Sequence, residues 1–190
     1  MAFTDIDKPS DYFNTKLYTG TGSSLANTGV GFQPDLTWIK GRSGATEHVL
    51  TDSVRGVTKE LSSNDNGLEE TVAQGLTAFG TDGFTVGTDG SYNTSSATYA
   101  SWNWKAGTAV SGATTGAGTA KTYTGSVNTT SGFSIINFVG NGTAGHTIPH
   151  HLGVAPKMVI VKNITSASTY WQTYHYNLDN GAGTNEIFLD

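Results

Sequence analysis

Residues 31–40 read Gly-Phe-Gln-Pro-Asp-Leu-Thr-Trp-Ile-Lys, and residues 153–162 read Gly-Val-Ala-Pro-Lys-Met-Val-Ile-Val-Lys. In both stretches a glycine is followed three residues later by proline, and the apolar run after the proline ends in lysine. Strands accept proline just before them but not in their interior, and short apolar runs after turn residues are typical of strands. The two stretches therefore predict matching β-strands that begin near residues 36 and 158.

The similarity between these stretches extends along the chain as an internal repeat. Residues 18–22 and 138–142 share an aromatic-x-Gly-x-Gly pattern at an offset of 120 residues, against 122 for the proline stretches. Residues 59–63 match residues 185–189 at an offset of 126. Loop insertions make offsets grow in this way, so the sequence predicts two copies of one structural unit.

Matched positions in the two copies also indicate roles. Trp38 falls opposite Ile160, and because an aliphatic residue replaces the tryptophan, we expect a core position rather than a ligand platform. Lys40 and Lys162 are kept in both copies. We interpret them as strand-end lysines that face water, with a shared ion pair or a subunit contact as the alternative.

The composition favours an all-β protein. Gly, Ser, Thr and Asn make up about 45 % of the 190 residues, and charged residues 13 %, which is typical of many turns around a thin core. Asp82-Gly83 before an apolar run predicts a hairpin, and residues 99–105 alternate as a strand does. We predict an antiparallel β-sandwich followed by a second, incomplete repeat. The predicted core residues are Trp38, Ile39, Phe84, Trp102, Trp104, Met158 and Ile160.

Three regions follow from the pattern. Residues 1–106 form the first β-sandwich unit, residues 107–131 are rich in Gly, Ala, Ser and Thr and predict a linker or an extended surface segment, and residues 132–190 begin the second unit. That second unit has no counterpart of residues 65–106, which leaves an open apolar face. We expect either that the chain continues past Asp190, which we favour, or that this half packs onto another subunit.

Several function classes are excluded by composition. No apolar run approaches the 18 residues or so of a membrane span, and acidic residues stand where a signal peptide would begin. The absence of cysteine excludes disulfide scaffolds, zinc fingers and thiol catalysis. The net charge is −5 and the basic residues are scattered, so neither nucleic acid nor membrane insertion is expected.

Catalytic and metal-binding patterns are weak. Glycines and a proline around His146, His150 and His151 exclude the helix on which such a spacing would share a metal. Residues 64–67 fail as a calcium loop, so we interpret them as an Asx turn. Nothing fixes a geometry for the remaining candidates, which are His48, Asp52, Arg55, Glu69 and Glu70. We predict no catalytic residues, no metal, no cofactor and no enzymatic activity.

The best candidate for a binding surface is an aromatic cluster near the end of the sequence. It contains Tyr170, Trp171, Tyr174, His175 and Tyr176. Exposed aromatic rings stack on sugars, and they are equally suited to a subunit contact. Alternation on a strand would put Trp171 and His175 on one face and the tyrosines on the other.

Several motifs resemble those of marine bacteriophage virion proteins, which are tail-fibre or structural proteins with concanavalin-like, lectin-type domains. The similar segments are residues 9–20, 31–40, 52–56, 82–87, 102–106 and 152–162. The resemblance implies a jelly-roll β-sandwich, no active site, and a protein assembled in the host bacterial cytoplasm for incorporation into a virion. It also implies other virion proteins as partners.

Three functions are consistent with this resemblance. The first is an exposed tail-fibre or spike protein, a trimer by preference, that contributes to host attachment through weak multivalent contacts with surface glycans. The alternative is a capsid-decorating, head-fibre or tail assembly protein with no ligand of its own. The third is a polysaccharide-degrading enzyme, which would need two facing carboxylates in a groove.

Overall fold

The computed structural model describes residues 6–178, 182–183 and 185–189, and this part of the chain is all-β with antiparallel strand pairs. No helix of the described residues is long and apolar enough to cross a membrane. Strands β1 to β9 are Phe13–Thr19, Leu25–Thr28, Leu36–Gly41, His48–Asp52, Lys59–Ser62, Glu70–Thr71, Leu76–Gly80, Gly83–Val86 and Thr98–Trp104. Strands β10 to β17 are Thr108–Ala113, Thr115–Gly116, Thr122–Asn128, Phe133–Phe138, His146–Thr147, Met158–Val161, Gln172–His175 and Ile187–Phe188. Short helices are α1 (Gly90–Asn93) and 3-10 turns at Pro9–Asp11 and Tyr176–Leu178.

The first nine strands form two facing sheets. A six-stranded sheet has the order β1-β9-β3-β4-β5-β6, and a three-stranded sheet has the order β2-β8-β7. The hairpin predicted at Asp82-Gly83 joins β7 to β8. The core between the sheets contains Val30, Phe32, Ile39, Val49, Leu76, Phe84, Val86, Tyr92 and Tyr99. The prediction of an all-β, antiparallel fold is therefore confirmed.

The tryptophans predicted for the core lie on the other side of the large sheet. Ile39 and Phe84 are buried in the core as predicted. Trp38 pairs with Trp102 across the strands on the outer face, where both are half-buried, and Trp104 is half-buried against Phe133 at 6.2 Å. These three core predictions are wrong, because alternation separates the two faces of a strand but does not say which one is covered.

Small polar side chains of β9 occupy the inner face instead. Ser101 and Asn103 are fully buried. Asn103 accepts a hydrogen bond from the Thr37 hydroxyl at 3.2 Å, and its amide donates to the Asn14 carbonyl at 3.2 Å. Because the oxygen and the nitrogen of the Asn103 side chain are both hydrogen-bonded, a polar inner layer is tolerated at this end of the sandwich.

A carboxyl group is also buried between the sheets. Glu60 is 8 % exposed, and its Oε2 atom has no hydrogen-bond partner among the described residues. Burial raises the pKa of Glu60 above its usual range, and a hydrogen bond from the Tyr92 hydroxyl opposes this only in part. The Tyr92 hydroxyl also lies 3.2 Å from that of Thr51.

We expect the Glu60→Gln variant to be more stable than the wild type at pH 7. A raised pKa means that the folded protein keeps the Glu60 proton at a pH where the unfolded chain has lost it. The wild type is therefore destabilised as the pH rises from about 4.3 through the raised pKa, and the advantage of the variant disappears below about pH 4. Urea unfolding from pH 4 to 8 measures this. Asp7→Asn, at an exposed residue, is the control, and a difference that does not change with pH would contradict the prediction.

The segment predicted as a linker forms strands. Strands β10 and β12 lie within residues 107–131 and pair with each other, and β12 also pairs with β13. Tyr123 and Val127 are buried, and a side chain at Gly125 would come within 2.5 Å of the Ile135 carbonyl oxygen. The linker prediction is wrong for these strands because two buried anchors and close backbone approach replace the missing apolar residues.

Strands β15, β16 and β17 form an antiparallel meander with the order of β3, β4 and β5. Met158 is 51 % exposed and Ile160 is 42 % exposed. Their prediction as core residues is wrong for the described chain, because no second sheet of the described residues covers either position.

The two repeated lysines make the same pair of hydrogen bonds, each to a threonine in the loop that follows its strand. The Lys40 ammonium donates to the carbonyl and hydroxyl oxygens of Thr46 at 2.8 and 3.2 Å. The Lys162 ammonium makes the same pair of bonds to Thr169 at 2.9 and 3.1 Å. Both lysines are half-buried, so the prediction that they face water is wrong, and each holds the loop that follows its strand. The repeat itself stays a prediction, which these matching contacts support.

Candidate functional site

The meander of β15, β16 and β17, here called the open sheet, is the most unusual surface of the molecule. All four residues of β15, Met158 to Val161, are exposed, although alternate residues point to opposite faces. Among the described strands β15 pairs with β16 alone, so its second edge is unpaired. Apolar strands with free edges pair readily with other chains, and this sheet is therefore the first candidate for a functional surface.

Trp171 fixes the open sheet to the first unit. It is 4 % exposed, and its indole N–H lies 3.0 Å from the carbonyl oxygens of both Ser62 and Asp65. The backbone N–H of Glu69 donates to the Ile164 carbonyl at 3.0 Å beside it. The prediction that Trp171 is a ligand or subunit contact is wrong, because its ring is buried inside the chain.

Replacing Trp171 by phenylalanine keeps an aromatic ring but removes the indole N–H. Two carbonyl oxygens then lose their shared donor, which we expect to destabilise this contact by about 1–2 kcal/mol. Hydrogen exchange of residues 172–175 measures the effect as faster exchange, while the first unit is unchanged. Tyr170→Phe, at an exposed ring, is the control. Unchanged exchange in Trp171→Phe would show that the indole does not hold the sheet.

The other aromatic residues of the predicted cluster differ in how far their side chains are exposed to solvent. Tyr170 is 54 % exposed, with its ring centre 5.0 Å from that of Phe188, and Tyr176 is 38 % exposed, with the Lys157 ammonium 3.7 Å from its ring centre. Tyr174 and His175 are half-buried. The structure thus places Tyr174 on the central strand of the open sheet, with Tyr170 and Tyr176 just beyond the two ends of that strand.

A shallow groove runs over one face of the open sheet. Its volume is about 360 Å³. The face combines aliphatic side chains with hydrogen-bonding groups, and its lining includes Val159, Val161, Gln172, Tyr174, Asn185 and Glu186. Such a mixed apolar and polar surface suits a polypeptide or a sugar better than it suits proton transfer.

Each of the three clustered histidines has a hydrogen-bond partner at one ring nitrogen, although the buried Nε2 atom of His146 has none among the described residues. The Nδ1 atom of His146 lies 2.8 Å from the Asn141 amide, and the Nε2 atom of His151 lies 2.9 Å from the Tyr123 hydroxyl. His150 accepts a hydrogen bond from the backbone N–H of Leu152 at 3.1 Å. In the described ranges no three His, Asp or Glu side chains come close enough to hold a metal ion.

Two of the candidate carboxylates belong to one ion-pair network. The Arg55 guanidinium lies 2.5 Å from Asp52 and 3.2 Å from Glu69, and it donates to the Leu50 carbonyl at 3.1 Å. The side chains of Arg55 and Asp52 are each 7 % exposed. Asp52 also accepts hydrogen bonds from the backbone N–H groups of Val54 and Arg55. The network therefore holds the turn after β4.

The remaining candidates stay apart from this network. His48 lies at the other end of β4, opposite Lys40, and Glu70 is exposed. In residues 64–67 the Asp65 carboxylate accepts a hydrogen bond from the Gly67 N–H at 2.7 Å. This is the geometry of an Asx turn, so that interpretation is confirmed.

Sequence reasoning missed the residue that joins strand β12 to the first unit. Asp35 is buried and accepts hydrogen bonds from the Ser53 hydroxyl at 2.7 Å, the Ala106 N–H at 2.9 Å and the Ser126 hydroxyl at 3.1 Å. Ser126 belongs to β12, so the carboxylate ties β12 to the start of β3. The repeat has a lysine, Lys157, at the matching position, so the repeat did not point to Asp35.

The comparisons with known proteins identify a family without a described activity. No curated protein and no solved structure matches the chain. The family model of a domain of unknown function, DUF7483, matches residues 8–190. This match spans both the sandwich and the open sheet. The chain therefore belongs to the DUF7483 family of domains of unknown function.

Proposed function

We propose that the chain is a structural component of a bacteriophage virion. The resemblance of residues 9–20, 31–40 and 152–162 to marine bacteriophage virion proteins supports the proposal. So does the thin, weakly charged and cysteine-free β architecture, which suits assembly in a reducing bacterial cytoplasm. Other virion proteins are then its partners, and a homotrimer is the oligomer we favour, because β-rich fibres are often trimeric.

Within the virion, the geometry supports an assembly role best. The observation that carries it is the open sheet, in which Met158 to Val161 are exposed on both faces and one edge is unpaired. A surface of this kind is a hazard on a free particle, since it pairs with any other strand. It is suited to a contact that becomes permanent when the particle assembles.

Host attachment as an exposed tail-fibre or spike protein is the second candidate. The observation that favours it is the exposure of Tyr170 and Tyr176, at 54 % and 38 %. Rings exposed to this extent can stack on surface glycans, and weak contacts gain strength when many copies bind at once. Both carboxylates of the Arg55 network are held in ion pairs, Asp52 with Arg55 and Glu69 with Arg55 and Lys59, so a non-enzymatic role is proposed in both cases.

Single cysteines test the assembly role cleanly because the chain has none of its own. Val159→Cys places a thiol on the open sheet, and Val154→Cys places one on an apolar residue that is 69 % exposed and lies outside it. We expect the thiol of Val159→Cys to react with a maleimide at least about tenfold more slowly in the assembled particle than in the isolated chain, because a buried thiol is shielded. Val154→Cys corrects for general crowding.

Two results would contradict the proposal. If Val159→Cys reacts equally fast in the particle and in the isolated chain, and Tyr170→Ala reduces phage adsorption, attachment replaces assembly. If mass spectrometry of purified particles does not detect the chain, the virion proposal is wrong.

A further inference from the structure

The open sheet has the layout of one half of the first unit. Ile39 on β3 pairs with Val49 on β4, and Val161 on β15 pairs with Gln172 on β16, at matching positions of the repeat. Strands β5 and β17 follow as the third strand in each case. Together with the two lysine–threonine contacts, this gives a residue-by-residue match between the open sheet and the β3-β4-β5 part of the sandwich.

The match shows which face of the open sheet is uncovered. In the first unit the inner face of β3 and β4 is at most 1 % exposed, at Thr37, Ile39, Val49 and Thr51. The counterparts on β15, Val159 and Val161, are 37 % and 42 % exposed. The inner face of the first unit is buried because its second sheet covers it. The β7 and β8 residues of that sheet belong to the same core cluster as Ile39 and Val49.

The match also shows which edge is uncovered. Strand β3 pairs on both sides, with β4 and with β9, so that Trp38 lies opposite both Leu50 and Trp102. Strand β15 pairs with β16, and its other edge has no strand in the described part of the chain. The free edge of β15 is the one that β9 would occupy in the first unit.

We propose that a partner polypeptide completes the open sheet in trans. One of its strands pairs antiparallel with β15, as β9 pairs with β3, and a hairpin covers Val159 and Val161, as β7 and β8 cover the first unit. The inference rests on the proposed assembly role and names the partner that this role requires: a β-layer with the alternating aromatic, aliphatic and small polar residues of segment 76–104.

One acidic residue narrows the chemistry of the partner further. Glu186 lines the groove and corresponds to Glu60, whose carboxyl group faces the Tyr92 hydroxyl in the first unit. The partner layer therefore presents a tyrosine or another hydrogen-bond donor at this point. A carboxylate there would repel Glu186.

A second copy of the chain fits the open sheet poorly. Each copy already uses its segment 76–104 inside its own first unit. If β15 paired with itself across a two-fold axis, Lys157 of one copy would lie opposite Lys162 of the other, and like charges at directly opposed positions destabilise a strand pair.

A synthetic polypeptide of residues 72–106 provides the probe, because it carries the required pattern. We expect its addition to the full chain to slow hydrogen exchange of residues 158–161 by about tenfold or more. The same polypeptide with Ser101→Pro and Asn103→Pro, which cannot form the pairing strand, is the control. In the full chain, Val161→Asp should abolish the protection, whereas Val154→Asp should not.

Two outcomes would overturn the inference. One is the absence of protection with the unmodified polypeptide in excess. The other is a protein in which residues 158–161 are already protected without the probe, which would mean that a second copy covers the sheet if the protein sediments as an oligomer, or that its own chain covers the sheet if it sediments as a monomer. If Val159→Cys is nevertheless shielded in particles, the assembly role survives and only the chemistry assigned to the partner is wrong.

Discussion

Replacing Arg55 by alanine is expected to lower the free energy of unfolding by about 3–5 kcal/mol, because it leaves a buried carboxylate without its ionic partner. The Arg55 and Asp52 side chains are each 7 % exposed, and Glu69 is 18 % exposed. Without the guanidinium, the Asp52 side chain loses its ionic partner in a site that water reaches poorly. The turn after β4, which leads to β5 in the same sheet, loses its cross-link at the same time.

Urea unfolding at pH 7 measures this loss directly. Arg42→Ala removes the same side chain from an exposed position and is expected to change stability by less than about 0.5 kcal/mol. A loss below about 1 kcal/mol in Arg55→Ala would show that the network behaves like a surface ion pair.

Replacing Asp35 by alanine is the second large effect, at about 3 kcal/mol, because three donors, two of them buried, lose their acceptor together. The donors are the Ser53 hydroxyl, the Ala106 N–H and the Ser126 hydroxyl. Since Ser126 belongs to β12, the variant should also loosen the sheet of β10, β12 and β13 from the sandwich.

Two measurements separate these consequences. Thermal unfolding reports the total loss, and hydrogen exchange of residues 122–128 reports the loosening of β12. Asp11→Ala, at an exposed residue that pairs with Lys8, is the control and should change stability by no more than about 1 kcal/mol. Normal protection of β12 in Asp35→Ala would contradict the role of the carboxylate as a joint.

Features that depend on local backbone chemistry could be predicted from the sequence. The Asp82-Gly83 hairpin is one, since Gly83 has a φ of +148° and a side chain there would come within 2.0 Å of the Asn27 carbonyl oxygen. The strands after Pro34 and Pro156 are another. In each case the residue type decides which backbone angles are accessible wherever the segment lies in the fold, since glycine permits a positive φ and proline fixes φ.

Features that depend on what lies opposite a residue could not be predicted. Alternation placed Trp102 and Ser101 on different faces of β9, but the covering sheet decides which face is the core, and it packs on the small polar side. Met158 and Ile160 have the sequence of core residues and lie exposed because no described layer meets them. The contact of Asp35 with Ser126 could not be predicted either, because Ser126 comes from a strand that is distant in the sequence.

The most direct test of the assembly role is the structure of the chain inside its native particle, at a resolution that shows neighbouring chains. We expect an antiparallel strand along the free edge of Met158–Val161 and a β-layer over Val159 and Val161. A particle in which this strand and the rings of Tyr170 and Tyr176 all project into solvent would contradict the claim that the open sheet is an assembly surface.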